Sequence, residues 1–411
     1  MSQLRWLVTG LARRLWVRAT LFAVAGILTA FAGIVLAPLI PGGWSIKVGA
    51  DSIDAILQIL ASSMLAVTTF SLATMVSVYA TASTATTPRV VELLIRDRSA
   101  QNALGTFVGS FLFSLVGIIA LHAGAYGDSG QIVLFVATLA VIVVIVVTLL
   151  RWIDLLARFG RVGDAIDRVE VVATRALREC REHPWLGGRM PSSDFPAAGS
   201  VTSDRIGYVQ HIDVAALERL ARLAGGEIHV EARPGAFVDG VTPLARLDFV
   251  PDEETRQAVR SAFHVGSRRW FDQDPRFGVV VLSEIAAKAL SAAVNDQGTA
   301  IETLATLERV LAVLAGPREG DGEVLYPHVV IPPVAIDDLF DDAFLAISTC
   351  GAGTLAVGIR LQKTLLSLAR LGHPAFRGAA RRQSKLALDR ARHALQLEED
   401  VAELERLSAG I

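Results

Sequence analysis

Residues 131–150 read QIVLFVATLAVIVVIVVTLL, twenty consecutive positions without a charged side chain. A helix needs about 20 mostly apolar residues to cross the hydrocarbon core of a bilayer. Three further stretches, at about 19–40, 55–80 and 104–125, have a similar length and composition. The sequence therefore predicts an integral membrane protein with four transmembrane α-helices.

Charged residues divide the chain into two parts. Residues 1–150 contain eight basic and five acidic side chains, whereas the rest of the chain contains 31 basic and 36 acidic ones. The second part thus has the charge density of a soluble domain. We predict an N-terminal cytoplasmic segment at 1–18, a transmembrane domain at 19–150, a connecting helix at 151–182 and a mostly helical α+β cytoplasmic domain at 183–411.

The basic residues also predict the orientation in the membrane, because Lys and Arg accumulate in short cytoplasmic loops. Arginines flank the spans before residue 19, between residues 81 and 103, and after residue 150, whereas the two other loops contain only Lys47. Both termini are therefore expected in the cytoplasm. A net charge of −2 argues against a nucleic-acid partner.

The second span differs from the others because hydroxyl side chains are frequent in it. At 100° per residue, several of them fall within an arc of about 80°, with two apolar residues on the same face. We call these seven residues the hydroxyl stripe: Ser63, Val67, Phe70, Thr74, Ser77, Thr81 and Thr84. Weakly polar groups can wet a pore, and an apolar constriction can gate it. The alternative is that the hydroxyls support close helix packing.

No ionisable side chain lies deep within the four stretches, which favours passive conduction over charge-coupled transport. Four helices in one subunit rarely enclose a pore, so a channel requires a symmetric homo-oligomer. The main hypothesis is therefore an oligomeric channel, with the lipid bilayer, further copies of the chain and ions, including anions, as its partners. In it, Val67 and Phe70 form the apolar neck.

The region after residue 183 predicts a linker followed by short strands and several helices. Strands are predicted at 206–212, 227–232 and 244–250. Helices are predicted at 213–224 with Asp213 as N-cap, at 252–263 with Asp252 as N-cap, at 276–290, after a Thr299–Glu302 capping box, at 337–371 and at 375–408.

A dense polar cluster brackets the helix predicted at 276–290. It consists of Arg268, Arg269, Asp272, Asp274, Arg276, Asn295 and Asp296. Arginine donors near a helix N-terminus can bind an anion, and this supports a second hypothesis, a membrane-anchored sensor or scaffold that binds a ligand or protein partner here. The alternative is a structural ion-pair network that caps helices.

No common catalytic motif occurs in the sequence, so we expect no enzyme activity and no cofactor. In an extended segment, His211 and Asp213 lie on the same face, and so do His229 and Glu231. Each pair could approach a metal ion, but no third ligand at zinc spacing accompanies either pair. A structural role is expected for both histidines.

The chain resembles a bacterial family of predicted membrane proteins with a domain of unknown function, number 2254. The resemblance rests on residues 87–118, on GYVQHID at 207–213, on RRWFDQDPRFG at 268–278 and on ALSAAVNDQGTA at 289–300. It implies a multi-pass topology in the bacterial inner membrane and no particular activity. The overall architecture is also similar to that of bestrophin-type pentameric anion channels.

Overall fold

The computed structural model describes residues 15–36, 50–95, 97–192, 195–316, 324–371 and 373–411. The chain forms two compact units, one within Leu7–Asp164 and one within Ala165–Ile411. We refer to them as the membrane unit and the C-terminal unit.

Helices account for nearly all of the described membrane unit. They are α1 (Leu15–Leu36), α2 (Ala50–Ala85), α3 (Pro88–Ile95), α4 (Arg98–His122) and α5 (Asp128–Arg158). Within the described residues, α2, α4 and α5 are long and apolar enough to cross a membrane, whereas the apolar part of α1 is shorter, at Ala19–Phe31. The first predicted span, 19–40, extends beyond the described residues.

The helix α4 lies in the middle of the membrane unit and packs against α1, α2 and α5. Its contact with α1 depends on glycines. A Cβ atom at Gly105 would lie 2.7 Å from the Phe22 ring, and one at Gly109 would lie 2.6 Å from the Phe22 carbonyl oxygen. A Cβ atom at Gly26 would likewise collide with the backbone of Gly109. Small residues with this spacing let two membrane helices approach backbone to backbone.

Two contacts show how the ends of the helices are arranged. The Tyr126 hydroxyl donates a hydrogen bond of 2.6 Å to the carbonyl of Ala30. The Asp54 carboxylate lies 3.7 Å from the His122 imidazole. The end of α1, the start of α2 and the end of α4 therefore lie on one side of the membrane unit, so α2 and α4 are antiparallel.

The predicted connecting segment, 151–182, contains two helices in the structure. The helix α5 continues to Arg158, and Gly160 then adopts a left-handed conformation with φ +84°. The next helix, α6 (Val162–Glu182), begins two residues later. The helical conformation is therefore interrupted between the last membrane-length helix, α5, and the amphipathic α6.

The C-terminal unit contains two small sheets. The strands are β1 (Gly199–Thr202), β2 (Gly207–Ile212), β3 (Ile228–Val230), β4 (Phe237–Val238), β5 (Pro243–Leu247), β6 (Phe263–Gly266) and β7 (Val329–Val330). The first sheet has the order β1-β5-β3-β7, with β3 and β7 parallel, and the second has the order β4-β2-β6. Val209, Ile228 and Leu244 from the two sheets are fully buried in one shared core.

Helices form the rest of the described C-terminal unit. They are α7 (Val214–Ala224), α8 (Glu253–Ser261), α9 (Phe277–Ala289), α10 (Gln297–Ala315), α11 (Ile336–Cys350), α12 (Leu355–Arg370), α13 (Pro374–Ala394) and α14 (Glu398–Ser408). The predicted N-caps of α7 and α8 are confirmed, because Asp213 accepts a hydrogen bond from the backbone of Ala216 and Asp252 accepts one from Thr255.

Three helix predictions need correction. The stretches 337–371 and 375–408 each contain two helices, because the helical conformation is interrupted at 351–354 and at 395–397. The predicted Thr299–Glu302 capping box is wrong. The actual N-cap of α10 is Asp296, whose carboxylate accepts hydrogen bonds from the backbone and the hydroxyl of Thr299.

Candidate functional site

The hydroxyl stripe lies on a face of α2 that does not pack into the membrane unit. Phe70 is 67% exposed, and Ser77, Thr81 and Thr84 are also exposed. Ser63, Val67 and Thr74 are half-buried. The face of α2 that packs inward consists of other residues, namely Ile53, Leu57, Met64, Ser71, Met75 and Ala82. Among the described residues of the membrane unit, the stripe is therefore partly exposed and lies outside the inward-packed face of α2.

Hydroxyl groups of the stripe bond to their own helix. Thr74 donates to the carbonyl of Phe70 at 2.9 Å, and Thr81 donates to that of Ser77 at 3.0 Å. Ser63 and Thr84 make equivalent bonds to preceding carbonyls. A hydroxyl whose proton is used in this way can tolerate lipid, while its oxygen can still accept a hydrogen bond from water. The hydroxyl stripe is thus compatible both with a position facing lipid and with a position facing water.

The predicted polar cluster divides into two groups. The first group is built around Asp274, whose side chain is only 1% exposed. Arg269 donates two hydrogen bonds to this carboxylate, at 2.7 and 3.0 Å. The backbone amides of Arg276 and Phe277 donate two more, at 3.1 and 3.2 Å. The carboxylate therefore satisfies the N-terminus of α9 and a guanidinium together.

Burial raises the pKa of the Asp274 carboxyl above its ordinary value, and the hydrogen bonds from Arg269 oppose that rise. Gly235, at φ +94°, leaves room for the carboxylate, because a Cβ atom there would collide with it. A second guanidinium, that of Arg233, is also buried and lies within electrostatic range of Asp274. It donates to the carbonyls of Pro184 and Pro332.

Arg276 links α9 to another helix. Its guanidinium donates to Asp342 at 2.6 and 3.1 Å and to Asp338 at 2.6 Å, and both carboxylates lie on α11. Sequence reasoning missed these two partners. They are four residues apart and so lie on one face of a helix, which is the signal that could have identified them.

The other predicted members of the cluster have different contacts or lie elsewhere. Asp272 accepts a hydrogen bond of 3.1 Å from the Trp270 indole. The backbone carbonyl of Arg268 accepts one of 2.6 Å from Gln210. Asn295 and Asp296 lie beyond the opposite end of α9, which is about 20 Å long at 13 residues. The cluster is thus two helix-end arrangements, and its internal pairing favours a structural role over a ligand site.

The histidines considered as metal ligands lie in different surroundings. His229 stacks on Phe195 with ring centroids 3.3 Å apart, and burial lowers the pKa of its imidazole. The His211 side chain is buried. In the part of the chain that the structure describes, no group of three or more His, Cys, Asp or Glu residues is arranged to hold a metal ion.

Three helices of spanning length and a separate α+β unit define a membrane protein with multiple apolar helices. The chain belongs to the DUF2254 family, described as predicted membrane proteins, whose sequence profile matches residues 12–367. The family description assigns no activity.

Similar curated proteins occur in mycobacteria. Uncharacterized proteins of Mycobacterium bovis and Mycobacterium tuberculosis are each 31% identical to this chain over 152 residues. The matched stretch covers 33% of this chain and 29% of each relative, so the chain spans less than a third of their length. No solved structure matches this chain. The comparisons therefore give no support to the similarity to bestrophin-type channels expected from the sequence.

Proposed function

We propose that this protein is an oligomeric membrane channel in which α2 lines the pore. The observation that carries the proposal is the position of the hydroxyl stripe on the outside of its own membrane unit. Such a face must meet lipid, another subunit or water. In a ring of subunits, each contributing one α2, these hydroxyls would line a wet path with Val67 and Phe70 at its neck.

A four-span topology requires that α1 crosses the membrane together with α2, α4 and α5. The 22 residues of α1 give a length of about 33 Å, close to the hydrocarbon thickness of about 30 Å. The 36 residues of α2 give about 54 Å, so α2 extends beyond the hydrocarbon core or tilts within it. Arg89 and Arg98 lie near the link between α2 and α4, and Arg151 lies in the last part of α5. Since Lys and Arg accumulate on the cytoplasmic side, we propose that both termini are cytoplasmic in a bacterial inner membrane.

Anions are the permeant ions that we expect. Cation channels commonly select with rings of Asp or Glu side chains. The hydroxyl stripe contains no carboxylate. Hydroxyl and apolar groups alone would leave the passage open to a weakly hydrated anion.

Purified protein in planar bilayers is expected to pass current, and Phe70→Ala is expected to raise the unitary conductance severalfold. The substitution removes the largest side chain at the proposed neck, which widens the constriction and eases its wetting. Leu72→Ala is the matched control. Leu72 is also exposed, at 48%, but it lies about 160° away around the same helix. Bilayers that stay silent with verified insertion of protein would contradict the channel.

Solvent access to the stripe separates a pore from a lipid-facing or packed surface. In a background lacking the two native cysteines, Cys180 and Cys350, we expect Ser63→Cys, Thr74→Cys and Thr81→Cys to react with a charged, water-soluble thiol reagent. Ser114→Cys, fully buried on α4, and Val144→Cys, 52% exposed on α5, are the packed and lipid-facing controls.

The labelling rates decide the outcome. Stripe positions should react at least about tenfold faster than either control, because only a thiolate in contact with water is a nucleophile. Equal, slow labelling at stripe and control positions would show a dry face, and the proposed pore would then have no path.

A further inference from the structure

A cavity of about 330 Å³ lies in the C-terminal unit, beside β6 and the C-terminal end of α8. The strand β6 is at the edge of one sheet, and β1 is at the edge of the other. The turn after β1 and Leu244 of β5 complete the cavity wall. Its volume is within the range of small-molecule sites, which begins at about 300 Å³.

Two arginines, Arg205 and Arg260, line this cavity. The Arg260 guanidinium is held in place, because its Nε donates to the carbonyl of Thr202 at 3.1 Å and its Nη1 donates to the Gln257 side chain at 2.7 Å. The turn that carries Arg205 is fixed by Ser203. The Ser203 hydroxyl donates to the Arg205 carbonyl at 2.6 Å and accepts from the Arg205 amide at 3.1 Å.

The remaining lining is mixed in polarity. Leu244 and Phe263 lie behind the wall and are almost fully buried, so the accessible part of the lining is mainly polar. His264 adds an imidazole, whose pKa is lowered by burial and then by the positive charge of Arg205. In its neutral form the ring has one donor and one acceptor nitrogen. Asp204 adds a negative charge to the wall.

We propose that this cavity is a binding site for a small organic monocarboxylate. The planar, five-donor geometry of arginine matches a carboxylate, and two arginines with one aspartate give a net charge of +1. A phosphate monoester carries a charge of about −1.5 to −2 at pH 7, which exceeds the net charge of +1 that the lining supplies. The volume of about 330 Å³ limits the body of the ligand to a compact group. The proposal does not depend on conduction.

Benzoate is the probe for this site, tested by titration calorimetry on the full-length protein in detergent. We expect a Kd of about 1 mM or tighter. Benzyl alcohol has the same ring without the charge, and inorganic phosphate has charge without an apolar body. Both are expected to bind at least about tenfold more weakly than benzoate. Phosphate binding tighter than benzoate would overturn the assignment to a monocarboxylate.

Variants place the binding event in the cavity. Arg205→Gln and Arg260→Gln are each expected to weaken benzoate binding by about tenfold or more, because each removes a charged donor. Arg256→Gln, one turn earlier on α8 and outside the cavity lining, is the matched control and should bind as the wild type does. Arg205 lies on an exposed turn, so its variant remains informative if Arg260→Gln lowers stability. No binding by the wild type, or equal affinity in all three variants, would overturn the proposal.

Discussion

Gly109→Leu is expected to prevent the membrane unit from reaching its native fold. The Cβ atom that the substitution adds would lie 2.6 Å from the carbonyl oxygen and 3.1 Å from the carbonyl carbon of Phe22. These are backbone atoms of α1, so no side-chain rotation can relieve the contact. Overpacking by a movable side chain costs about 1 to 3 kcal/mol, and a fixed backbone obstacle should exceed that range.

Size-exclusion chromatography of detergent-solubilised protein measures this outcome. The Gly109→Leu protein should elute as aggregate or fail to accumulate. Gly109→Ala adds the same Cβ atom without the three further carbon atoms of leucine, so a smaller separation of α1 and α4 accommodates it, and we expect a folded protein with a lower melting temperature. Gly127→Ala is the control in the same unit, because nothing lies within 4 Å of an added Cβ atom there. A Gly109→Leu protein that elutes and melts like the wild type would show that α1 and α4 do not cross at this glycine.

The spans were predictable because lipid imposes a simple requirement on sequence. A helix satisfies its own backbone hydrogen bonds, and about 20 apolar residues then suffice to cross the bilayer. The crossing of α1 and α4 was less accessible. Gly105 and Gly109 have the spacing of a helix-packing motif, but their contacts with Phe22 and Gly26 depend on tertiary geometry.

In the C-terminal unit, the sequence predicted two helix N-caps correctly, whereas one short strand and one interruption of a helix were missed. Asp213 and Asp252 precede amphipathic stretches, so their N-caps could be predicted. The strand β1 consists of GSVT, which is too short and too rich in small polar residues to show a period of two, and it lies inside the segment predicted as a linker. The break at Gly351 went unrecognised because apolar residues continue on both sides of it.

The candidate polar site shows the same limit. Arg269 and Asp274 are five residues apart, so their proximity was expected from the sequence. Asp338 and Asp342, which bind Arg276, are more than sixty residues away along the chain and look like an ordinary solvated helix face. A pattern along one segment cannot show which distant segment supplies its counterions.

Asp274→Ala is expected to destabilise the C-terminal unit by about 3 to 5 kcal/mol, the cost of removing one partner of a buried ion pair. The substitution leaves the Arg269 guanidinium, only 19% exposed, without its carboxylate. It also leaves the backbone amides of Arg276 and Phe277 without their shared acceptor at the start of α9. Arg233, buried nearby, loses a compensating charge.

Two further variants separate the ion pair from the loss of a side chain. Asp272→Ala removes a carboxylate two residues away, on an exposed side chain, and should change the stability by no more than about 0.5 kcal/mol. The double variant Arg269→Met, Asp274→Leu should recover part of the loss, because it removes both buried charges together. Thermal unfolding followed by circular dichroism measures all three. If Asp274→Ala has the same melting temperature as the wild type, the ion pair does not stabilise the unit. That result would favour the polar cluster as a binding site for an external anion.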